Sequence, residues 1–69
     1  MDTNSERFLT EAEAARVLRI STRTLQRRRR DGAGPLFVKL GARVLYRVGD
    51  LSRWTLANTY GRKDVRDGR

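Results

Sequence analysis

No cysteine and no histidine occur among the 69 residues. The first absence excludes a disulfide framework and any thiolate metal site. The second removes the commonest general base and the commonest imidazole ligand together. Only one proline, one tryptophan, two tyrosines and two phenylalanines are present. No apolar run approaches the roughly 20 residues that a membrane-spanning helix needs. The opening Met1-Asp2-Thr3-Asn4-Ser5-Glu6 is polar and acidic, unlike a secretory leader. Acidic side chains are also scarce: Asp+Glu number 8 against 16 Lys+Arg, for a net charge of +8. No tight acidic cluster for Mg²⁺ stands out, and no glycine-rich phosphate loop runs into Lys-Ser/Thr. The sequence therefore predicts no enzyme, no cofactor and no metal.

What is present is arginine. Fourteen of the sixteen cations are Arg and two are Lys. Arginine makes planar, bidentate contacts to phosphate and to guanine edges. A need for solubility alone would be met as well by lysine, so the bias points to a nucleic-acid partner. The chain length allows one small domain, and a core of that size is marginal without staples. Hydrophobic residues make up 38% of the chain, too many for a fully disordered polymer.

Residues 1–7 carry no periodicity and read as a loose lead-in. Thr10 and Glu13 have capping-box spacing, and Leu9 is placed to staple onto Ala14. Glu11 and Glu13 suit the positive end of a helix dipole. Ala14, Ala15 and Leu18 form an apolar stripe, giving a first helix over 11–18. Ser21 caps a second helix running through Arg30, in which only Leu25 is clearly apolar. Such a helix needs pinning by Leu25, by Ile20, and by the stems of Arg28 or Arg29. Two glycines and Pro35 in residues 31–35 end it.

Residues 36–47 read as a hairpin around Gly41-Ala42, a two-residue turn of type II′, pairing Val38 with Leu45 and Phe37 with Tyr46. A third helix opens at Val48, carries Leu51, Trp54 and Thr55 on one face, and is expected to run to about Tyr60, stopped by Gly61. Residues 61–69 read as a disordered basic tail, leaving 8–60 as the domain. Two short helices joined by a tight turn, the second loaded with arginine, describe a helix-turn-helix, and the following hairpin describes a wing. The expected fold class is small α+β: a winged helix-turn-helix with a two-stranded β-hairpin wing and a C-terminal helix.

Double-stranded DNA fits this layout, because a helix enters the major groove while a hairpin reaches the flanking backbone or minor groove. Ser21, Thr22, Arg23, Gln26, Arg27 and Arg30 fall away from the Leu25 face and are the candidate recognition-helix contacts. Ser21 is first an N-cap whose hydroxyl can also meet phosphate, and Gln26 is either an adenine reader or a solvated amide. Arg28 and Arg29 are divided between stem packing and phosphate contact. Lys39, Arg43 and Arg47 are the candidate wing and backbone contacts, Arg43 the foremost. Tyr46 and Trp54 read as core, and Arg16 as a solvated charge.

These residues carry a family resemblance. Phe8 through Ala15, Leu18 to Ser21, Arg23-Thr24-Leu25, Gly34-Pro35, Phe37 through Gly41, Arg43 through Arg47 and Asp50 through Trp54 resemble, in order, the MerR-like winged helix-turn-helix domains of excisionases and AlpA-type regulators. The resemblance covers about residues 7–57. Two departures stand out. Arg19 replaces a frequent glycine, which predicts either strain in the helix-helix turn or a phosphate contact. Arg28 replaces a bulky apolar residue, which weakens packing of the second helix and adds a cation.

The resemblance implies a sequence-specific DNA binder without catalysis of its own, residing in the cytoplasm of a bacterium and at the nucleoid when bound. Some such proteins act at promoters. Others are recombination directionality factors of phages and integrative elements, which bend attachment-site DNA so that an integrase, a tyrosine or serine recombinase, excises the element. One recognition helix gives a small footprint, and no long heptad helix follows. Head-to-tail self-association on directly repeated sites is therefore expected. Two other classes compete: a small RNA-binding protein, and an adaptor that recruits an acidic protein. RNA binders present stacking aromatics, whereas the aromatics here read as core.

Overall fold

The computed structural model describes residues 6–61. Of the loose lead-in read over 1–7, residues 1–5, and of the disordered tail read over 61–69, residues 62–69, lie outside the described residues. The elements run β1 (Phe8–Thr10), α1 (Glu11–Leu18), α2 (Thr22–Asp31), β2 (Val38–Leu40), β3 (Arg43–Arg47) and α3 (Val48–Ala57).

The caps that fix the first two helices are those the sequence encodes. Thr10 accepts a hydrogen bond from the Glu13 backbone N–H, and the Glu13 carboxylate accepts one from the Thr10 N–H, completing a capping box. Ser21 caps α2 by accepting from the Thr24 N–H. Both helices end on a left-handed residue. Gly32 serves α2 at φ +73°, where no side chain is strained. Arg19 serves α1 at φ +61°, ψ +39°, a conformation that costs an L-residue energy. The turn between the helices is therefore strained, the first of the two alternatives for Arg19. α2 runs to Asp31, one residue beyond the expected Arg30.

The hairpin turns at Gly41-Ala42. Gly41 has φ +62° while Ala42 has no positive φ, as a type II′ turn requires. Val38 opposes Leu45, as the alternation predicts. Phe37 lies just outside β2, so it does not pair with Tyr46 through the ladder. Its ring packs against the Tyr46 ring instead, with centroids 6.3 Å apart.

The expected two-stranded sheet needs correction. Phe8-Leu9-Thr10, read only as the staple and cap that start α1, is also a strand, antiparallel to β3 with Leu9 opposite Tyr46. The sheet has three strands in the order β1-β3-β2, so the wing's inner strand is its centre. Leu9 is still buried beside Ala14, but its backbone is held by β3. α3 also departs from expectation. It stops at Ala57 rather than about Tyr60, because Asn58 and Thr59 turn their side chains back onto the Trp54 and Thr55 carbonyls.

One core joins every helix to the sheet. Leu9, Ala14, Ala15, Leu25, Tyr46 and Leu51 are buried, with Leu18, Ile20, Val44 and Val48 packed around them. The small alanines of α1 let α2 approach, and α2 contributes Leu25 alone to the buried set. Trp54 is half-buried and donates its indole N–H to the Ala33 carbonyl at 3.1 Å, tying α3 to the segment after α2.

Candidate nucleic-acid interface

α2 sorts its side chains by helical spacing. Leu25 is fully buried, and Thr22, Gln26 and Arg29 beside it are half-buried. Arg23, Arg27 and Arg30 recur at i, i+4 and i+7 on the exposed side, with Arg28 also exposed. Of the recognition-helix residues expected from sequence, the three arginines therefore share one open face. Thr22 and Gln26 do not fall fully away from Leu25, since they lie only three positions before it and one after it. Ser21 is exposed and doubly occupied: besides capping α2, its hydroxyl donates to the Thr24 hydroxyl at 2.8 Å.

On the wing, Lys39 and Arg43 are exposed on either side of the Gly41-Ala42 turn. Arg47 stands at the opposite end of β3. It pairs with the buried carboxylate of Asp50 at 3.2 Å and lies over the Phe8 ring at 5.8 Å. Arg53 holds the other Asp50 oxygen at 2.8 Å. Arg47 thus already has a counter-ion and stands apart from the cations at the wing tip.

Sequence reasoning missed the use made of Glu11. It stands in the first turn of α1, as expected, but has a second role. Its carboxylate accepts from Arg29 Nε at 2.8 Å, from the second guanidinium nitrogen at 3.4 Å, and from the Tyr46 hydroxyl at 2.8 Å. The Arg29 guanidinium also lies 5.6 Å from the Phe37 ring centroid. Burial alone raises the Glu11 pKa. The hydrogen bonds from Arg29 and Tyr46 and the Arg29 charge outweigh it, holding the carboxyl below the ordinary glutamate range. Burial, then the same carboxylate, push the Tyr46 hydroxyl well above the ordinary tyrosine range. Arg29 is therefore half-buried and committed to Glu11, apart from the exposed arginine face. No local pattern could have shown this, because the three partners are 18 and 35 residues apart in sequence.

A groove of about 850 Å³ between α1 and α3 is lined by Leu9, Val17, Leu18, Val48 and Leu51 with Arg7, Arg16 and Arg19 at its rim. Its lining is mainly apolar. Among the described residues no group of three or more Asp or Glu is placed to hold a metal ion, and no helix is long and apolar enough to cross a membrane. The arrangement offers a cationic face and a cationic hairpin tip, suited to a polyanion.

Comparison with curated proteins gives no match. The family model described as a helix-turn-helix domain matches residues 8–59, from the first strand to just past α3. With three helices, a winged antiparallel sheet and this match over most of its length, the chain belongs to the helix-turn-helix domain family of excisionase and AlpA type, a family of DNA-binding domains.

Proposed function

We propose that this protein is a recombination directionality factor, an excisionase that binds attachment-site DNA sequence-specifically and bends it in favour of integrase-mediated excision. Residues 8–60 form the DNA-binding domain. α2 lies in the major groove, with Arg23, Arg27 and Arg30 meeting base edges and phosphates. Ser21, Thr22 and Gln26 flank them at the groove wall. Lys39 and Arg43 reach the neighbouring backbone or minor groove, and Arg47 contributes from the base of the wing.

The observation that carries this reading is the row of exposed arginines on a helix whose opposite side holds its one buried residue, Leu25. Six exposed cations at this face and the wing, Arg23, Arg27, Arg28, Arg30, Lys39 and Arg43, exceed what reading a few base pairs needs. Neutralising phosphates along one side of a duplex favours curvature, and curvature supports directionality over simple promoter occupancy. A single module covers roughly 600–1,000 Å² of protein surface. Genome-wide selectivity then calls for several copies in tandem, head to tail, with a tyrosine or serine recombinase as the protein partner.

Footprinting on attachment-site and promoter DNA, a circular-permutation bend assay and reconstituted excision test the proposal. Stepwise cooperative shifts, a bend and stimulated excision support it. Single-step binding to a palindromic promoter without a bend, and no effect on excision, would assign the chain to promoter regulation instead. Preference for single-stranded RNA would refute both.

A further inference from the structure

We propose that Glu11, Arg29 and Tyr46 form a positioning joint that sets the angle between α2 and the wing, and thereby the preference for a specific site over random DNA. The inference rests on the reading of α2 as the recognition helix and of the hairpin as its wing.

The argument starts from how little holds α2. Leu25 is its one buried residue, and a single apolar contact leaves a helix free to pivot about it. One turn further on, Arg29 supplies a second anchor. Its Nε–H is 2.8 Å from the Glu11 carboxylate, at the start of α1. The same carboxylate oxygen takes the Tyr46 hydroxyl at 2.8 Å, in the central strand of the sheet. Phe37, leading into β2, lies beneath the guanidinium and against the Tyr46 ring. The last turn of α2 is therefore fixed to α1 and to β3 through one carboxylate, and to the segment leading into β2 through the Phe37 ring. Both donors are directional, and a charge-assisted fork tolerates less misalignment than an apolar contact.

This geometry matters to recognition and not to bulk attraction. Base-edge hydrogen bonds form only if α2 and the wing meet one duplex at a fixed relative angle. Non-specific binding depends on the number of phosphates neutralised and tolerates a pivot. Arg29 is thus a positioning residue within an arginine run whose other members face outward.

The test uses the full chain, a duplex selected by the wild-type protein from a random-sequence pool, and a scrambled duplex of equal length. Glu11→Gln and Arg29→Met should each weaken the selected duplex roughly tenfold, while the scrambled duplex changes by no more than about twofold. The double variant should be no worse than either single one, because one joint is lost in each case. The slope of log K against log salt should stay at its wild-type value. If Arg29 instead touches phosphate, Arg29→Met lowers that slope by about one and weakens both duplexes alike. Glu11→Gln, which adds one net positive charge, then tightens both. Either result overturns the proposal, as does an unchanged ratio of the two affinities.

Melting curves in the binding buffer show whether each variant is folded. If Arg29→Met does not fold, Tyr46→Phe keeps the ring and the ion pair and loses one hydrogen bond. It should cost about fivefold on the selected duplex only. Arg27→Ala is the control for the underlying reading. If it leaves the preference intact, or if the pool yields no preferred sequence, the recognition-helix assignment has failed. If Arg27→Ala abolishes the preference while the joint variants do not, the proposal alone has failed.

Discussion

Replacing Arg19 by glycine should stabilise the fold. Arg19 ends α1 at φ +61°, ψ +39°, and its N–H bonds to the Ala15 and Arg16 carbonyls do not involve the side chain. Left-handed backbone costs an L-residue roughly 1–2 kcal/mol. Glycine removes that cost but adds freedom to the unfolded chain, worth about 0.4–1 kcal/mol in the other direction. The Arg19 side chain is exposed at the rim of the α1–α3 groove, so little packing is lost. The balance is a gain of about 0.5–1 kcal/mol. In a domain of this size that raises Tm by about 2–8 °C. Circular dichroism melts of Arg19→Gly and wild type measure it directly. Binding to duplex DNA over a salt series adds a second reading: if the Arg19 guanidinium meets phosphate, the salt slope falls by about one as the melting point rises. A melting point lowered by Arg19→Gly would refute the strain argument, since it would require a side-chain contact stronger than the backbone penalty.

Leu25→Ala should cost about 2–5 kcal/mol, much of the stability of so small a domain, while Arg27→Ala should melt normally and lose about 1–3 kcal/mol of specific binding. A normal melt for Leu25→Ala with an unfolded Arg27→Ala would reverse the two faces of α2. With six exposed cations at the α2 face and wing meeting phosphates, log K should fall against log salt with a slope of roughly −5, and a slope near zero in fluorescence anisotropy would exclude a phosphate-dominated interface. Acid should act through Glu11. Its folded pKa lies below the ordinary value of 4.5, so its stabilisation is complete above that pH and is lost as pH falls through the folded value. The Tm gap between wild type and Glu11→Gln should therefore narrow from pH 6 to pH 3, and a gap that stays constant would deny Glu11 its ionised role.

The parts of this fold that were legible in the sequence are those encoded over three to seven residues. Thr10 with Glu13, Ser21 before α2, and Gly41-Ala42 between two runs of β-formers each specify a local geometry that the chain adopts. The Leu25 face followed from helical spacing in the same way. β1 was not legible, because three residues are too few for alternation to show and the capping box beside them gives a stronger helical signal. The end of α3 was missed because Gly61 is the conventional stop, whereas Asn58 and Thr59 cap the helix by side-chain bonds that no periodicity announces. In the candidate interface, the exposure of Arg23, Arg27 and Arg30 followed from the helical period. The diversion of Arg29 to Glu11 and of Arg47 to Asp50 did not. An arginine's partner is chosen by tertiary placement, so a run of arginines reads alike whether its members face outward or inward.

The seating of β1 against β3 fixes when the domain can fold during synthesis. Phe8 meets Arg47, and Glu11 meets Tyr46 across 35 residues of chain. Both helices of the helix-turn-helix leave the ribosome long before either contact is possible. Until β3 emerges, the Glu11–Arg29 pair lacks the Tyr46 hydroxyl that completes it, and α1 has no strand beneath its start. Closing so long a loop is slow relative to forming either helix. The nascent helix pair therefore waits as a cationic, weakly ordered segment beside the polyanionic ribosomal surface, and docking of the last-made strand converts it into a rigid reader.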